Sequence, residues 1–351
     1  MNLKEIRDQI DIIDGKLIKL LNDRLVQALL ARRFKTEIED RAREQEIFSN
    51  LTSRTFGLVD PDFARRLYAI ILDESKRLQA LNWPVLAFQG EHGAFSEMAG
   101  KAWNPRVATV PCREFAELFE GVQAGTFDFG IIPIENALGG VVSPVNELLV
   151  TTDLHVIGAV EMPVRHCLLA VPGADYRDLR NVYSHPQALA QCKRFMARNR
   201  LDPVPYYDTA GAARMVAEKG LKSMAAIASA LAARLYNLEI IKEQIEDAPT
   251  NTTRFLVLAQ APLDEEGEKC SLIFSTAHKA GTLFRVLEIF AKADLNLTRI
   301  ESVPKAPGQY AFFLDFIGCP RDPKVAEALQ KVAQTTTEYR LMGCYKERIL
   351  T

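Results

Sequence analysis

The sequence lacks the spacings that build metal or disulfide sites. Its six cysteines (Cys112, Cys167, Cys192, Cys270, Cys319 and Cys344) are scattered, none in a CxxC spacing, and there are only five histidines. Such a set offers no clustered soft ligands and no disulfide framework, so no metal and reduced thiols are expected. Proline is absent before Pro61, and glycine before that point is limited to Gly15 and Gly57. A stretch so poor in helix breakers reads as helix. There is no excess of either charge: 43 Lys and Arg stand against 45 Asp and Glu, a net charge of −2. The strong basic excess usual in a nucleic-acid binder is absent. No apolar run is long enough to span a bilayer, and the opening MNLKEIRDQIDIID has no apolar signal core. A cytoplasmic protein without a membrane or nucleic-acid partner is expected.

What remains is an ordinary globular composition, 48% hydrophobic and 25% charged over 351 residues, long enough for two or three domains. Residues 1–82 read as all-α. Leu3, Ile6, Ile10, Ile13, Leu17 and Leu20 recur at alternating spacings of three and four, close to a heptad seam on one long helix. One helix cannot bury that stripe alone, so a partner chain or an antiparallel return is expected. Further helices are predicted over about Arg41–Ser53 and from Asp60-Pro61 to about Leu81, proline suiting the first turn.

Residues 84–261 alternate strand and helix patterns, an α/β region with a largely parallel sheet and room for two lobes around a cleft. The strands are predicted at Val85–Gln89, Phe129–Ile134, His155–Val160, Cys167–Val171, Asn181–Ser184 and Phe255–Ala259. The polar stretch 262-PLDEEGEK-269 reads as a linker. Residues 270–350 follow the order βαββαβ, an α+β ferredoxin-like sandwich.

Past Leu20 the heptad seam of the first helix reaches Arg24 and Gln27. A buried unpaired charge is costly, so Arg24 needs an anion or water. Lys35 lies roughly 20° off the same face and about 16 Å further along the axis if the helix continues. Two cations on one face leave room for a small dianion. Arg7 lies about 100° round the helix from Arg24; it is badly placed for the same site on its own chain and well placed for a partner's. Ser75 and Gln79 share one face of the third helix at i, i+4.

This set (Arg7, Arg24, Lys35, Arg43-Glu44, Ser75 and Gln79) resembles the all-helical chorismate mutase family. The resemblance implies an intertwined dimer whose first arginine reaches into the partner's site. It also implies a pericyclic rearrangement of chorismate to prephenate, in which arginines clamp two carboxylates. Lys35 and Gln79 would face the ether oxygen, and Glu44 the ring hydroxyl. The loop before Arg43 looks about four residues shorter than the family pattern, and the acidic residue usual before the second helix has no clear counterpart. An ungapped register would place Ile47 and Phe48 at the Arg43 and Glu44 positions.

Four loops of the middle region fall at strand ends, where α/β folds bind ligands: 90-GEHGAFSE-97 with Ser96 as expected N-cap, 133-PIENALGG-140, 183-YSHPQALAQC-192 and 251-NTTRF-255. Pro186 opens a helix with free N–H groups, and Ser184 and Gln191 can face one cleft. His185 reads as a capping or packed residue rather than a base. Together these loops resemble the prephenate dehydratase catalytic domain, a two-lobed fold like a periplasmic binding protein. The resemblance implies Thr253 as proton donor to a departing ring hydroxyl and Arg254 as a carboxylate clamp beside it. Asn136, Ser184 and Gln191 would orient the ring, with Glu135 and His185 in the substrate-binding set. No cofactor is implied. Ala137 stands where the family often has threonine.

Residues 270–350 resemble an ACT regulatory domain. Gly281 and Leu283 match the start of its helix, and Glu301-Ser302 the end of its second strand. The resemblance implies phenylalanine as allosteric ligand at a dimer interface, although Val303 replaces the usual arginine and Thr282 the usual alanine. The whole pattern resembles bifunctional chorismate mutase–prephenate dehydratases, with phenylalanine feedback and a homodimer or larger homo-oligomer expected. The alternatives are a dehydratase for prephenate or arogenate whose helical domain only dimerises, and a ligand sensor without catalysis.

Overall fold

A computed structural model describes residues 2–262, 267–306 and 309–351, with the backbone alone at Glu5 and Asp8. It divides into two compact units: Met1–Val85 with Arg106–Val110, and Leu86–Pro105 with Pro111–Thr351.

The first unit is built on helices α1 (Leu3–Arg32), α2 (Arg41–Arg54) and α3 (Pro61–Ala80). Asp40 caps α2 by accepting from the Arg43 N–H at 2.9 Å, and Asp60 caps α3 by accepting from the Phe63 N–H at 2.8 Å. Each such cap contributes about 1 kcal/mol. α3 packs against both α1 and α2, burying Ala64, Ile71, Leu72, Ser75 and Gln79. The heptad stripe of α1 does not find cover here. Leu3, Ile6, Ile10, Ile13, Leu17 and Leu20 stay between 40% and 64% exposed.

After the helices the chain forms a sheet of β1 (Val85–Gln89), β2 (Ala108–Cys112), β3 (Phe129–Asn136), β4 (Gly140–Val141) and β5 (His155–Pro163), with helices α4 (Phe95–Trp103), α5 (Phe115–Gln123) and α6 (Ser143–Thr151). The chain then crosses to a second sheet of β6 (Cys167–Ala170), β7 (Asn181–Ser184), β8 (Asp202–Pro205), β9 (Met224–Ala228) and β10 (Glu239–Lys242), with helices α7 (Pro186–Gln191), α8 (Lys193–Asn199), α9 (Thr209–Lys219) and α10 (Ala230–Leu235). It returns as β11 (Thr252–Ala259), which lies antiparallel between β3 and β5. The two crossings make both sheets mixed, where a largely parallel sheet was expected. The second sheet runs β10-β6-β9-β7-β8 and is covered on both faces. Its central strand MAAIA is wholly buried; a short apolar run of this kind carries no period to mark it as strand.

The βαββαβ region follows its predicted order: β12 (Lys269–Ser275), α11 (Thr282–Lys292), β13 (Leu297–Ala306), β14 (Gln309–Ile317), α12 (Pro323–Thr335) and β15 (Glu338–Tyr345). Its sheet order is β13-β14-β12-β15, around a core of Phe274, Phe290, Leu314 and Phe316. The predicted unit runs on to residue 350, but β16 (Glu347–Ile349) leaves this sheet and pairs parallel to β5 in the first. At Gly343 the approach is so close that a Cβ would meet the Val156 carbonyl oxygen at 2.0 Å, so only glycine fits without backbone movement. Part of the predicted linker, residues 263–266, lies outside the described residues.

Candidate active sites

The hydrogen bonds of the cleft converge on Asn136, at the end of β3. Its side-chain amide has one permitted orientation. Oδ1 accepts from the backbone N–H groups of Leu138 (3.1 Å) and Gly139 (2.7 Å), which can only donate. Nδ2 donates to the Thr252 carbonyl at 2.9 Å, which can only accept. The same Nδ2 lies 2.8 Å from Thr253 Oγ1 and 2.8 Å from Asn251 Oδ1. Thr253 therefore receives a hydrogen bond and keeps its own proton. That proton has no acceptor among the described residues, and Thr253 is 8% exposed. A hydroxyl held this way is prepared to donate to a ligand oxygen.

Gln191 extends the cluster from the other lobe. Its Nε2 donates to Asn136 Oδ1 at 3.2 Å, and its Oε1 accepts from Asn251 Nδ2 at 3.2 Å and meets His166 Nε2 at 2.9 Å. Neither His166 nor Asn251 is a predicted site residue: His166 lies in no motif, and Asn251 enters only as the first residue of NTTRF. Burial lowers the His166 pKa, against smaller opposing effects of Gln191 and Glu246, so the imidazole is neutral at pH 7.

Four of the predicted dehydratase residues, Arg254, Glu135, Ser184 and His185, lie outside the Asn136 cluster. Arg254 does not stand beside Thr253. Successive side chains of a strand point to opposite faces, and the guanidinium points away from the Asn136 cluster. It is 2.6 Å from Asp315 and 3.0 Å from the Tyr345 hydroxyl, and it bonds Glu347. Burial alone would lower its pKa, but Tyr345, Asp315 and Glu347 raise it above the ordinary arginine value. In this arrangement its guanidinium belongs to a buried ion-pair network and does not reach the Asn136 cluster. Glu135 shares that face, 3.9 Å from Arg254 and 3.5 Å from Arg299. Ser184 is fully buried and donates to the Ile227 carbonyl at 2.6 Å, so its proton is already committed. His185 is exposed and caps α7, accepting from the Gln187 N–H at 3.2 Å.

The cleft loop 90–97 is tied to the second lobe. The Ser229 hydroxyl donates to the Gly93 carbonyl at 2.6 Å, and the Tyr236 hydroxyl to the His92 carbonyl at 2.8 Å. Gly93 has φ +96°, and a Cβ there would meet the Ala232 Cα at 2.8 Å. The N-cap of α4 is Ala94 rather than Ser96. Glu97 instead secures the turn, accepting from the Gly93 N–H at 2.7 Å.

In the helical unit, Ser75 Oγ donates to the Ile71 carbonyl at 2.7 Å and accepts from Arg24 Nη1 at 3.0 Å. Arg24 also lies over the Tyr68 ring, 5.8 Å from its centroid. Gln79 is buried, and its Oε1 has no partner among the described residues. α1 stops at Arg32, whose guanidinium donates to the Lys35 carbonyl. The helical projection to Lys35 therefore fails, and its ammonium sits 4.0 Å from Asp40 instead. Asp40 is the residue directly before α2. Glu44 faces α3, 3.2 Å from Lys76. One turn on, Phe48 lies under the Arg65 guanidinium at 5.5 Å. Arg43 points to solvent and pairs with Glu46 at 2.6 Å, so the structure does not bring it to Arg24. Arg7 is exposed.

In the βαββαβ region Gly281 takes φ +80° and opens α11. Leu283 packs on the core. Thr282, standing where the resemblance expects alanine, bonds the Ala277 and Lys279 carbonyls at 2.9 Å each. Glu301 is half-buried, Ser302 exposed and Val303 buried on β13, an edge strand of its sheet. Among the described residues no group of three or more His, Cys, Asp or Glu could hold a metal, and no helix is long and apolar enough to cross a membrane.

Residues 6–80 match the family of type II chorismate mutases, residues 86–263 that of prephenate dehydratases and residues 271–334 the ACT domain. The chain is 32% identical to a bifunctional chorismate mutase/prephenate dehydratase of Pseudomonas aeruginosa, over 99% of this chain and 98% of that one. It is 40% identical to an arogenate dehydratase/prephenate dehydratase of Arabidopsis thaliana, over 74% of this chain and 72% of that one. The crystal structure of prephenate dehydratase from Arthrobacter aurescens in complex with L-Phe superposes with a TM-score of 0.70 at 29% identity, covering 75% of this chain and 89% of that one.

Proposed function

The chain belongs to the prephenate dehydratase family in its bifunctional form, with chorismate mutase and ACT domains, and from that premise we propose how its residues divide the work. As an enzyme it rearranges chorismate to prephenate, then decarboxylates and dehydrates prephenate to phenylpyruvate. The observation that carries the second step is the one-way bond from Asn136 Nδ2 to Thr253 Oγ1. As the carbon–carbon bond to the ring carboxylate breaks, its electron pair enters the ring and expels the hydroxyl. CO2 leaves, and the departing oxygen takes a proton. Thr253 supplies the hydrogen bond through which that proton is delivered. A threonine is a weak acid, so placement contributes most of the effect. The gain of aromaticity supplies the driving force.

In the helical unit Arg24, fixed by Ser75, is the carboxylate anchor, and buried Gln79 is the donor for the ether oxygen. Lys35 and Glu44 complete the site, with Arg7 of a second copy. The uncovered stripe of α1 supports an intertwined dimer. Phenylalanine is proposed to bind between copies near Gly281, Leu283, Glu301 and Ser302.

The test is to supply the purified protein with chorismate and follow chorismate loss and phenylpyruvate appearance separately, with and without phenylalanine. Both are expected, with phenylpyruvate formation suppressed by phenylalanine. Conversion of added prephenate alone would reduce the helical unit to a dimerisation module. Faster turnover of arogenate than of prephenate would move the substrate to that of the plant relatives.

A further inference from the structure

His166 occupies the short crossing from β5 to β6, where the chain passes from one lobe to the other. It is 2% exposed. Its ring packs at a near right angle to that of Phe95 in the first lobe, with centroids 5.5 Å apart at 88°. Its Nε2 lies 2.9 Å from Gln191 Oε1 of the second lobe.

The proton on that nitrogen follows from the bonds beyond it. Asn136 Oδ1 can only accept, so the Gln191 atom beside it is the amide nitrogen. Gln191 Oε1 is then the outward atom and needs donors; Asn251 Nδ2 is one and His166 the other. His166 is therefore the Nε2–H tautomer. Its Nδ1 is left buried without a partner among the described residues. A buried polar atom retained without a partner calls for a reason, and the reason on hand is the bond made by the other nitrogen. Gln191 bridges the second lobe to Asn136, and His166, with Asn251, holds Gln191 in place.

We infer that His166 is a positioning residue for dehydration: its Nε2–H holds Gln191 against Asn136 and so keeps the Thr253 hydroxyl directed at the substrate. This rests on the dehydratase reading above. His166 touches no reacting atom in this scheme, and its effect falls on the rate of the bound complex rather than on substrate affinity.

The experiment compares prephenate turnover by the full chain with that of His166→Phe and His166→Gln, with thermal unfolding as control. Phenylalanine keeps the ring contact with Phe95 and removes the donor. Glutamine places an amide N–H at a similar reach. His166→Phe is expected to lower kcat by about tenfold or more with KM changed less than about threefold, and His166→Gln to recover most of the loss. Nitrogen NMR of the wild-type imidazole, which needs no folded variant, should show a neutral ring protonated at Nε2. A kcat within about twofold of wild type in His166→Phe, an equal loss in both variants, or an Nδ1–H tautomer each overturns the inference. Absence of prephenate turnover in the wild-type protein would instead overturn the dehydratase reading itself.

Discussion

Asn136 satisfies three acceptors with two amide hydrogens, which makes one of its bonds shared and all of them sensitive to geometry. Thr253→Val keeps the volume and removes the hydroxyl. We expect it to lower the dehydratase kcat by about 10²–10⁴-fold, the usual contribution of a positioned proton donor. Chorismate loss, measured in the same sample, should be unchanged. Equal loss of both activities in a folded protein would contradict separate sites. Arg24→Ala should do the opposite, because it removes the carboxylate anchor and leaves Ser75 without its charged donor.

Two adjacent cross-strand pairs, Thr253 with Asn136 and Arg254 with Glu135, bear on how legible the site was. The motif NTTRF pointed to the right segment, but the strand was expected to begin at Phe255, and it begins at Thr252. In a loop, Thr253 and Arg254 can face one ligand together. In a strand they point to opposite faces, and a boundary error of three residues misplaced the Arg254 side chain relative to Thr253. Asn136 and Gln191 were legible because their motifs lie at strand and helix ends whose bounds were close to correct. His166 was not, because its role depends on a distant strand crossing and not on its neighbours in sequence. In the helical unit the projected direction of Lys35 failed for a related reason: periodicity measures direction only while the helix continues, and α1 ends at Arg32.

The Arg254 face makes its own prediction. Asp315 is fully buried, 2.6 Å from Arg254. Arg254→Met leaves that carboxylate without its cation, which costs about 3–5 kcal/mol and should appear as a large fall in Tm. A site clamp would instead raise KM with little change in Tm. Glu347 tests the same element by pH. Burial would raise its pKa, but Arg254 and Lys269 hold it below the ordinary value. A depressed carboxyl contributes stability that is complete above its unfolded pKa of about 4.3 and is lost as pH falls through the lower folded value. Acid unfolding of the wild type should therefore be steeper below about pH 4.3 than that of Glu347→Gln; superimposable profiles would remove Glu347 from the account.

At the scale of the whole molecule, the α1 stripe is the feature that one copy of the chain does not satisfy. Burying a leucine or isoleucine is worth about 1.5–3 kcal/mol, and six such positions stand half-exposed. Ile13→Asp should shift the protein to a smaller species in sedimentation and remove mutase activity, since Arg7 then loses its neighbour's site. Dehydratase turnover should persist. An unchanged sedimentation profile would mean that something other than a second copy covers the stripe.

The pairing of β16 with β5 has a consequence for synthesis. Until Glu347–Ile349 has been made, β5 is a bare sheet edge with unpaired backbone groups, a template for wrong pairing. The catalytic sheet is thus complete only after the entire ACT fold has left the ribosome. A nascent chain halted between β11 and β16 would hold every residue of the Thr253 cluster and still present an open edge, so chaperone dependence should rise sharply for chains ending before residue 347.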